Sequence, residues 1–122
     1  MNTAAVKHAK EEVLYGIKMM VERGYALGTA GNISARIEGE KSFVITPSSR
    51  NYRGITEDDL CVVGMDEEAD IIGRFKPSIE KDMHRFIYIK RPDTNAVIHS
   101  HSKFATLAAS IEGVALIPII DV

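Results

Sequence analysis

The stretch Asn32–Thr46 constrains the fold of this chain more than any other. Asn32-Ile33-Ser34-Ala35-Arg36-Ile37 alternates polar and apolar residues, the two-residue period of a β-strand. Glu38-Gly39-Glu40-Lys41 reads as a turn, and Ser42-Phe43-Val44-Ile45-Thr46 as the returning strand of an antiparallel hairpin. Pro47 ends that strand, because proline brings no N–H to a ladder.

Around this hairpin the other elements follow in order. Val6, Val13, Ile17, Met20 and Val21 recur at helical spacing from Thr3 to Arg23, and Gly24 supplies a stop. Thr56-Glu57-Asp58-Asp59 resembles a short capped turn leading into a buried strand, Leu60–Met65. Asp66–Asp70 is an acidic turn, so Glu67, Glu68 and Asp70 read as solvated charge rather than a metal site. Ile71-Ile72-Gly73 pairs back as a short strand. After Lys76-Pro77 a helix is expected whose first turn holds Ser78 and Glu80 and whose body carries Met83, Phe86, Ile87 and Lys90. A turn at Arg91-Pro92-Asp93, a strand over Asn95–His101 and a helix over Lys103–Ser110 complete the reading. The class is α+β or α/β with a largely antiparallel sheet. At 122 residues this is one domain. It closes on the apolar run Val114–Val122 with no polar tail, which is expected of a fragment of a longer chain.

Composition removes several function classes. A net charge of -2 argues against non-specific nucleic-acid or anionic-membrane partners, and no apolar stretch approaches a membrane span. Cys61 is alone, which excludes an intrachain disulfide and a cysteine zinc cage and fits a core residue of a cytoplasmic protein.

The residues that bear chemistry fall into four short motifs. In Val97-Ile98-His99-Ser100-His101, side chains two apart on a strand face the same way, so His99 and His101 can share a metal ion; a hydrogen-bonded histidine pair is the alternative. No third ligand is evident, since His8 and His84 sit on predicted helices with no spacing relation to the pair. In Lys76-Pro77-Ser78-Ile79-Glu80, Ser78 lies near a helix start and Glu80 is either a general base or a capping acid. Gly28-Thr29-Ala30-Gly31-Asn32 allows close backbone approach to a phosphate, or simply a tight turn. Thr46-Pro47-Ser48-Ser49 places hydroxyls after a strand, for an anion or for a turn.

Taken together and in this order, GTAGN (Gly28–Asn32), ITPSS (Ile45–Ser49), KPSIE (Lys76–Glu80) and RPDTNAVIHSH (Arg91–His101) resemble the class II aldolase/adducin family, in its L-fuculose-1-phosphate aldolase branch. The resemblance implies a three-layer α/β/α fold around a mostly antiparallel sheet, assembled as a homo-oligomer, usually a tetramer, with sites between subunits. It implies that His99 and His101 are two of three zinc ligands, with another divalent metal as an alternative to Zn2+. It implies Glu80 as the general base, with a pKa raised by its site, and Gly31, Asn32, Ser48, Ser49 and Ser78 as the phosphate-binding residues. The implied reaction is cleavage of a phosphorylated sugar, a ketose 1-phosphate, to dihydroxyacetone phosphate and an aldehyde, with zinc as Lewis acid.

Three departures stand out. Ile79 replaces a hydroxyl residue often found there, and Ser49 stands where the branch often has Gly, which calls for a different loop conformation. The family's third zinc histidine and a catalytic tyrosine lie in a C-terminal portion beyond Val122. Related zinc sugar-phosphate epimerases and dehydratases share the scaffold, and adducin-like domains keep the fold without the zinc histidines. Glu at position 80, with both histidines retained, favours the aldolase.

Overall fold

The computed structural model describes residues 1–26, 29–66, 70–111 and 113. Expectations for Gly28, for Glu67 and Glu68, and for the apolar run 114–122 lie outside the described residues. Helix α1 spans Thr3–Glu22, started by the Asn2 side chain, which accepts from the N–H groups of Ala4 and Ala5 at 3.1 and 3.3 Å. The strands are β1 (Asn32–Arg36), β2 (Ser42–Ile45), β3 (Cys61–Gly64), β4 (Ile71–Ile72) and β5 (Ala96–His99), and two further helices are α2 (Lys81–Lys90) and α3 (Lys103–Ser110). They form one five-stranded sheet in the order β4-β3-β2-β1-β5, with every pairing antiparallel.

Two layers of helix cover this sheet because β2 and β3 are apolar on both faces. On one face Ile33, Ala35, Val44 and Val62 pack against Ala9, Val13, Ile17 and Met20 of α1. On the other, Phe43, Ile45, Cys61 and Val63 pack around Tyr88 of α2, whose ring is tilted 42° to Phe43 at 5.2 Å. The three-layer α/β/α arrangement is therefore present. Fully burying one such aliphatic or aromatic side chain contributes roughly 1.5–3 kcal/mol, so both faces contribute to holding β2 and β3 in place.

Element boundaries differ from expectation in ways that matter for the site. Strand β5 ends at His99, so His101 lies beyond the ladder rather than on it. Helix α2 begins only at Lys81, with Glu80 as its N-cap; Ser78 lies ahead of the helix, its carbonyl accepting from the Lys81 N–H at 3.0 Å. The capped turn is a short 3-10 helix, Glu57–Asp59, in which the Asp59 carboxylate accepts from the Thr56 N–H and hydroxyl at 2.8 and 3.0 Å.

The polar half of β1 carries the main surprise. Asn32 and Ser34 point away from α1, yet they are 4% and 0% exposed, covered by α2 rather than by water. Their partners His84 and Tyr88 lie four residues apart on the covering face of α2, both buried.

Candidate active site

Two loops meet at one end of the sheet because their prolines pair. Pro47 and Pro77 form an isolated antiparallel bridge, flanked by Ser48 N–H donating to the Lys76 carbonyl (2.8 Å) and Ser78 N–H to the Thr46 carbonyl (3.0 Å). This brings Ser48, Ser49 and Ser78 together. Gly31 leads into β1 beside them, and β5 delivers His99 opposite Asn32 in register. The result is a cleft of about 280 Å3 lined by all eight residues singled out from the sequence: Gly31, Asn32, Ser48, Ser49, Ser78, Glu80, His99 and His101. Among the described residues no lysine or arginine lines it, so an anion there would meet neutral N–H and O–H donors and imidazole, with the Glu80 carboxylate as the one negative group beside it. A larger apolar groove of about 410 Å3 runs between α1 and the β1–β5 side of the sheet, but it contains neither Glu80 nor a histidine.

Glu80 is the electrostatic centre of the cleft. Its Oε2 accepts from Asn32 Nδ2 and lies 2.5 Å from His99 Nδ1. These contacts correct one expectation. The hydrogen bond from Asn32, with those and the charge from His99, outweighs partial burial and holds the Glu80 carboxyl below the usual glutamate range, not above it. A carboxylate only accepts, so His99 carries a proton on Nδ1, which leaves Nε2 as the nitrogen a metal could take from the neutral ring. The 3.3 Å between Asn32 Nδ2 and His99 Nδ1 then reflects two donors sharing one acceptor oxygen.

His101 sits with its ring centroid 5.1 Å from that of His99, so the pair converges even though His101 lies past the strand. Two neutral imidazoles match in kind the donors a divalent zinc-type ion takes, and a ligating histidine commonly gives its other N–H to a carboxylate, as His99 does to Glu80. The donor chemistry fits. Among the described residues, no group of three or more His, Cys, Asp or Glu is placed to hold a metal. His8 is exposed on α1, 4.0 Å from Glu12, and does not line the cleft.

Ser49 adopts φ +56°, the left-handed region that favours glycine, so the loop carries the strain of a side chain in it. Ile79, whose side chain supplies no hydroxyl, is 88% exposed at the cleft's rim. Ser78 is 6% exposed, and its Oγ accepts from the Glu80 N–H at 3.2 Å, leaving its own O–H to donate.

Two residues of the site were not found from the sequence. His84 lies within 2.5 Å of Asn32 Oδ1 through Nε2. Tyr52, 5% exposed, donates its hydroxyl to the Gly31 carbonyl and so tethers the glycine loop from below; burial pushes its phenol up. The four-residue step from Glu80 to His84, one turn along the coming helix, was the available signal for the first.

Residues 11–122 match the family described as Class II Aldolase and Adducin N-terminal domain. The chain belongs to this family. It is 40% identical over 105 residues to the 5-deoxy-D-ribulose 1-phosphate aldolase of Bacillus thuringiensis serovar kurstaki, a match covering 86% of this chain and 48% of that protein. It is 35% identical over 102 residues to the L-fuculose phosphate aldolase of Methanocaldococcus jannaschii, covering 84% and 54%. A solved L-fuculose 1-phosphate aldolase superposes with a TM-score of 0.75 at 33% identity, covering 84% of this chain and 48% of that one. The chain thus spans about half the length of the curated relatives it matches.

Proposed function

We propose that this chain carries the proton-transfer and phosphate-binding part of a zinc-dependent class II aldolase acting on an L-fuculose-1-phosphate-like ketose 1-phosphate in the cytoplasm, as a homo-oligomer, by resemblance a tetramer. The observation that supports this reading most is the convergence of Glu80, His99, His101 and the serines of two loops on one cleft. In the synthetic direction Glu80 removes the proton from the hydroxyl-bearing carbon next to the carbonyl of dihydroxyacetone phosphate. In cleavage the hydroxyl that becomes the aldehyde releases one proton as the carbon–carbon bond breaks, the Glu80 carboxylate takes up one proton and delivers it to the carbon left behind, and none is gained or lost overall. Ser48, Ser49 and Ser78, with the backbone at Gly31, bind the phosphate and fix the distance from it to Glu80. His99 and His101 would hold the zinc, which when bound supplies Lewis-acid polarisation of the carbonyl. Glu80 is ionised at neutral pH, the form a base requires, and with Asn32 and His99 both on Oε2 its Oε1 is the oxygen left to meet the substrate.

Metal content after chelator-free purification, with enzyme-coupled detection of dihydroxyacetone phosphate from ketose 1-phosphates, tests the reading. The expected result is near one zinc per chain and product release that Glu80→Gln abolishes while zinc stays bound. Zinc near zero would favour the adducin-like interaction module. An epimerised or dehydrated product would reassign the reaction on the same scaffold.

A further inference from the structure

Beneath the cleft runs a buried chain of hydrogen bonds whose directions are fixed from one end. Glu80 accepts, so Asn32 Nδ2 donates to it, and Asn32 Oδ1 is left as an acceptor. His84 Nε2, 2.5 Å from that oxygen, must therefore carry its proton. Burial lowers the His84 pKa to about 4, so at neutral pH the ring has a single N–H and its Nδ1 is a lone pair. Nδ1 accepts from the Ser34 hydroxyl at 2.6 Å, and the Ser34 oxygen accepts from the Tyr88 hydroxyl at 2.7 Å. His84 and Ser34 are 0% exposed and Tyr88 is 1%, so water does not compete for these groups.

We propose that His84 is a positioning residue: by donating Nε2–H to Asn32 Oδ1 it locks the Asn32 side chain with its NH2 facing Glu80. The amide is nearly symmetric in shape, so packing alone does not choose between its two orientations. Flipped, it would set Oδ1 against the Glu80 carboxylate and NH2 against the His84 N–H, two repulsions in a buried setting. His84 thus acts on Glu80 through Asn32, never touching substrate. This inference rests on the proposed role of Glu80 in proton transfer.

The test combines nitrogen-15 NMR of the histidine and asparagine side chains at pH 7 with kinetics, on the parent protein, His84→Leu and His84→Gln. A glutamine amide places a donor near the imidazole Nε2, whereas leucine has none. The Nε2–H tautomer is expected in the parent. The Asn32 NH2 signals, widely split and slow to exchange there, should collapse toward exposed-amide values in His84→Leu and recover in His84→Gln. In aldol cleavage, kcat should fall roughly 10–100-fold in His84→Leu with KM little changed, and His84→Gln should recover most of it. An Nδ1–H tautomer, unchanged Asn32 signals in His84→Leu, or equal kcat losses in both variants would overturn the proposal. If His84→Leu does not fold, the parent tautomer and the His84→Gln amide signals decide. A parent protein that keeps the tautomer and amide signature but cleaves no ketose phosphate refutes the reaction, not the positioning.

Discussion

Replacing Gly31 by alanine separates backbone strain from steric clash at the site. Gly31 has φ +88°, and a Cβ built there would lie 2.8 Å from the His99 carbonyl oxygen and 3.1 Å from Met20 Cε. The Met20 methyl is the end of a flexible side chain and can yield. The His99 carbonyl is strand backbone, paired through its register with Asn32, and can move only by opening the end of the β1–β5 ladder. A side chain at positive φ costs about 1–2 kcal/mol, and one or two loosened ladder bonds add about 1 kcal/mol each, for a total of roughly 2–4 kcal/mol. For a domain of this size, each kcal/mol shifts the melting temperature by roughly 3–5 °C, so the midpoint should fall by about 10 °C. Gly54→Ala is the matched control, because Gly54 has φ +86° with nothing within 4 Å of the added Cβ. It pays the conformational cost alone. Thermal melts of both variants, with the His99 ring resonances as a local probe, check the reasoning. Equal destabilisation of the two variants, or unmoved His99 signals in Gly31→Ala, would refute it.

Ser49→Gly should raise stability by roughly 0.5 kcal/mol in denaturant titration, because relief of positive-φ strain slightly exceeds the entropy of a more flexible unfolded chain. Tyr52→Phe should cost about 1 kcal/mol in denaturant titration by unpairing the half-buried Gly31 carbonyl, and should weaken inorganic phosphate binding in calorimetry. Stability should also depend on pH through His84. The unfolded ring protonates near pH 6.5 and the native ring only near pH 4, so the unfolded state binds more protons between those values and stability falls as pH falls through that window, by about 3 kcal/mol in all. Chemical denaturation from pH 7 to 4.5 should show that slope in the parent and a flatter one in His84→Gln.

The hairpin, the helices and the eight cleft residues were legible because each is a short-range pattern: alternation around a turn, a 3.6-residue apolar period, or glycine and hydroxyl clusters at strand ends. Family resemblance added the grouping of four motifs that periodicity alone leaves scattered. The role of His84 was not legible beyond its spacing from Glu80. Its partner Asn32 is 52 residues away, and a histidine on a helix looks the same whether it faces water or a buried amide. The direction of the Glu80 shift was missed for a related reason. A raised pKa was expected of a general base, but the Asn32 hydrogen bond that lowers it depends on the docking of α2 over β1. Ser49 shows the converse: the sequence marked a position where glycine is usual, and the backbone there has the positive φ that favours glycine, with a serine in it.

The split personality of β1 ties fidelity of folding to fidelity of function. Ile33 and Ala35 face the apolar layer beneath α1, while Asn32 and Ser34 face the hydrogen-bonding groups of α2. A slip of one residue against β2 would exchange the two sets, driving an amide and a hydroxyl into hydrocarbon and setting isoleucine against His84. The groups that serve the cleft therefore also proofread the sheet, and a chain misthreaded at this strand should be lost to unfolding rather than persist as a stable, idle protein.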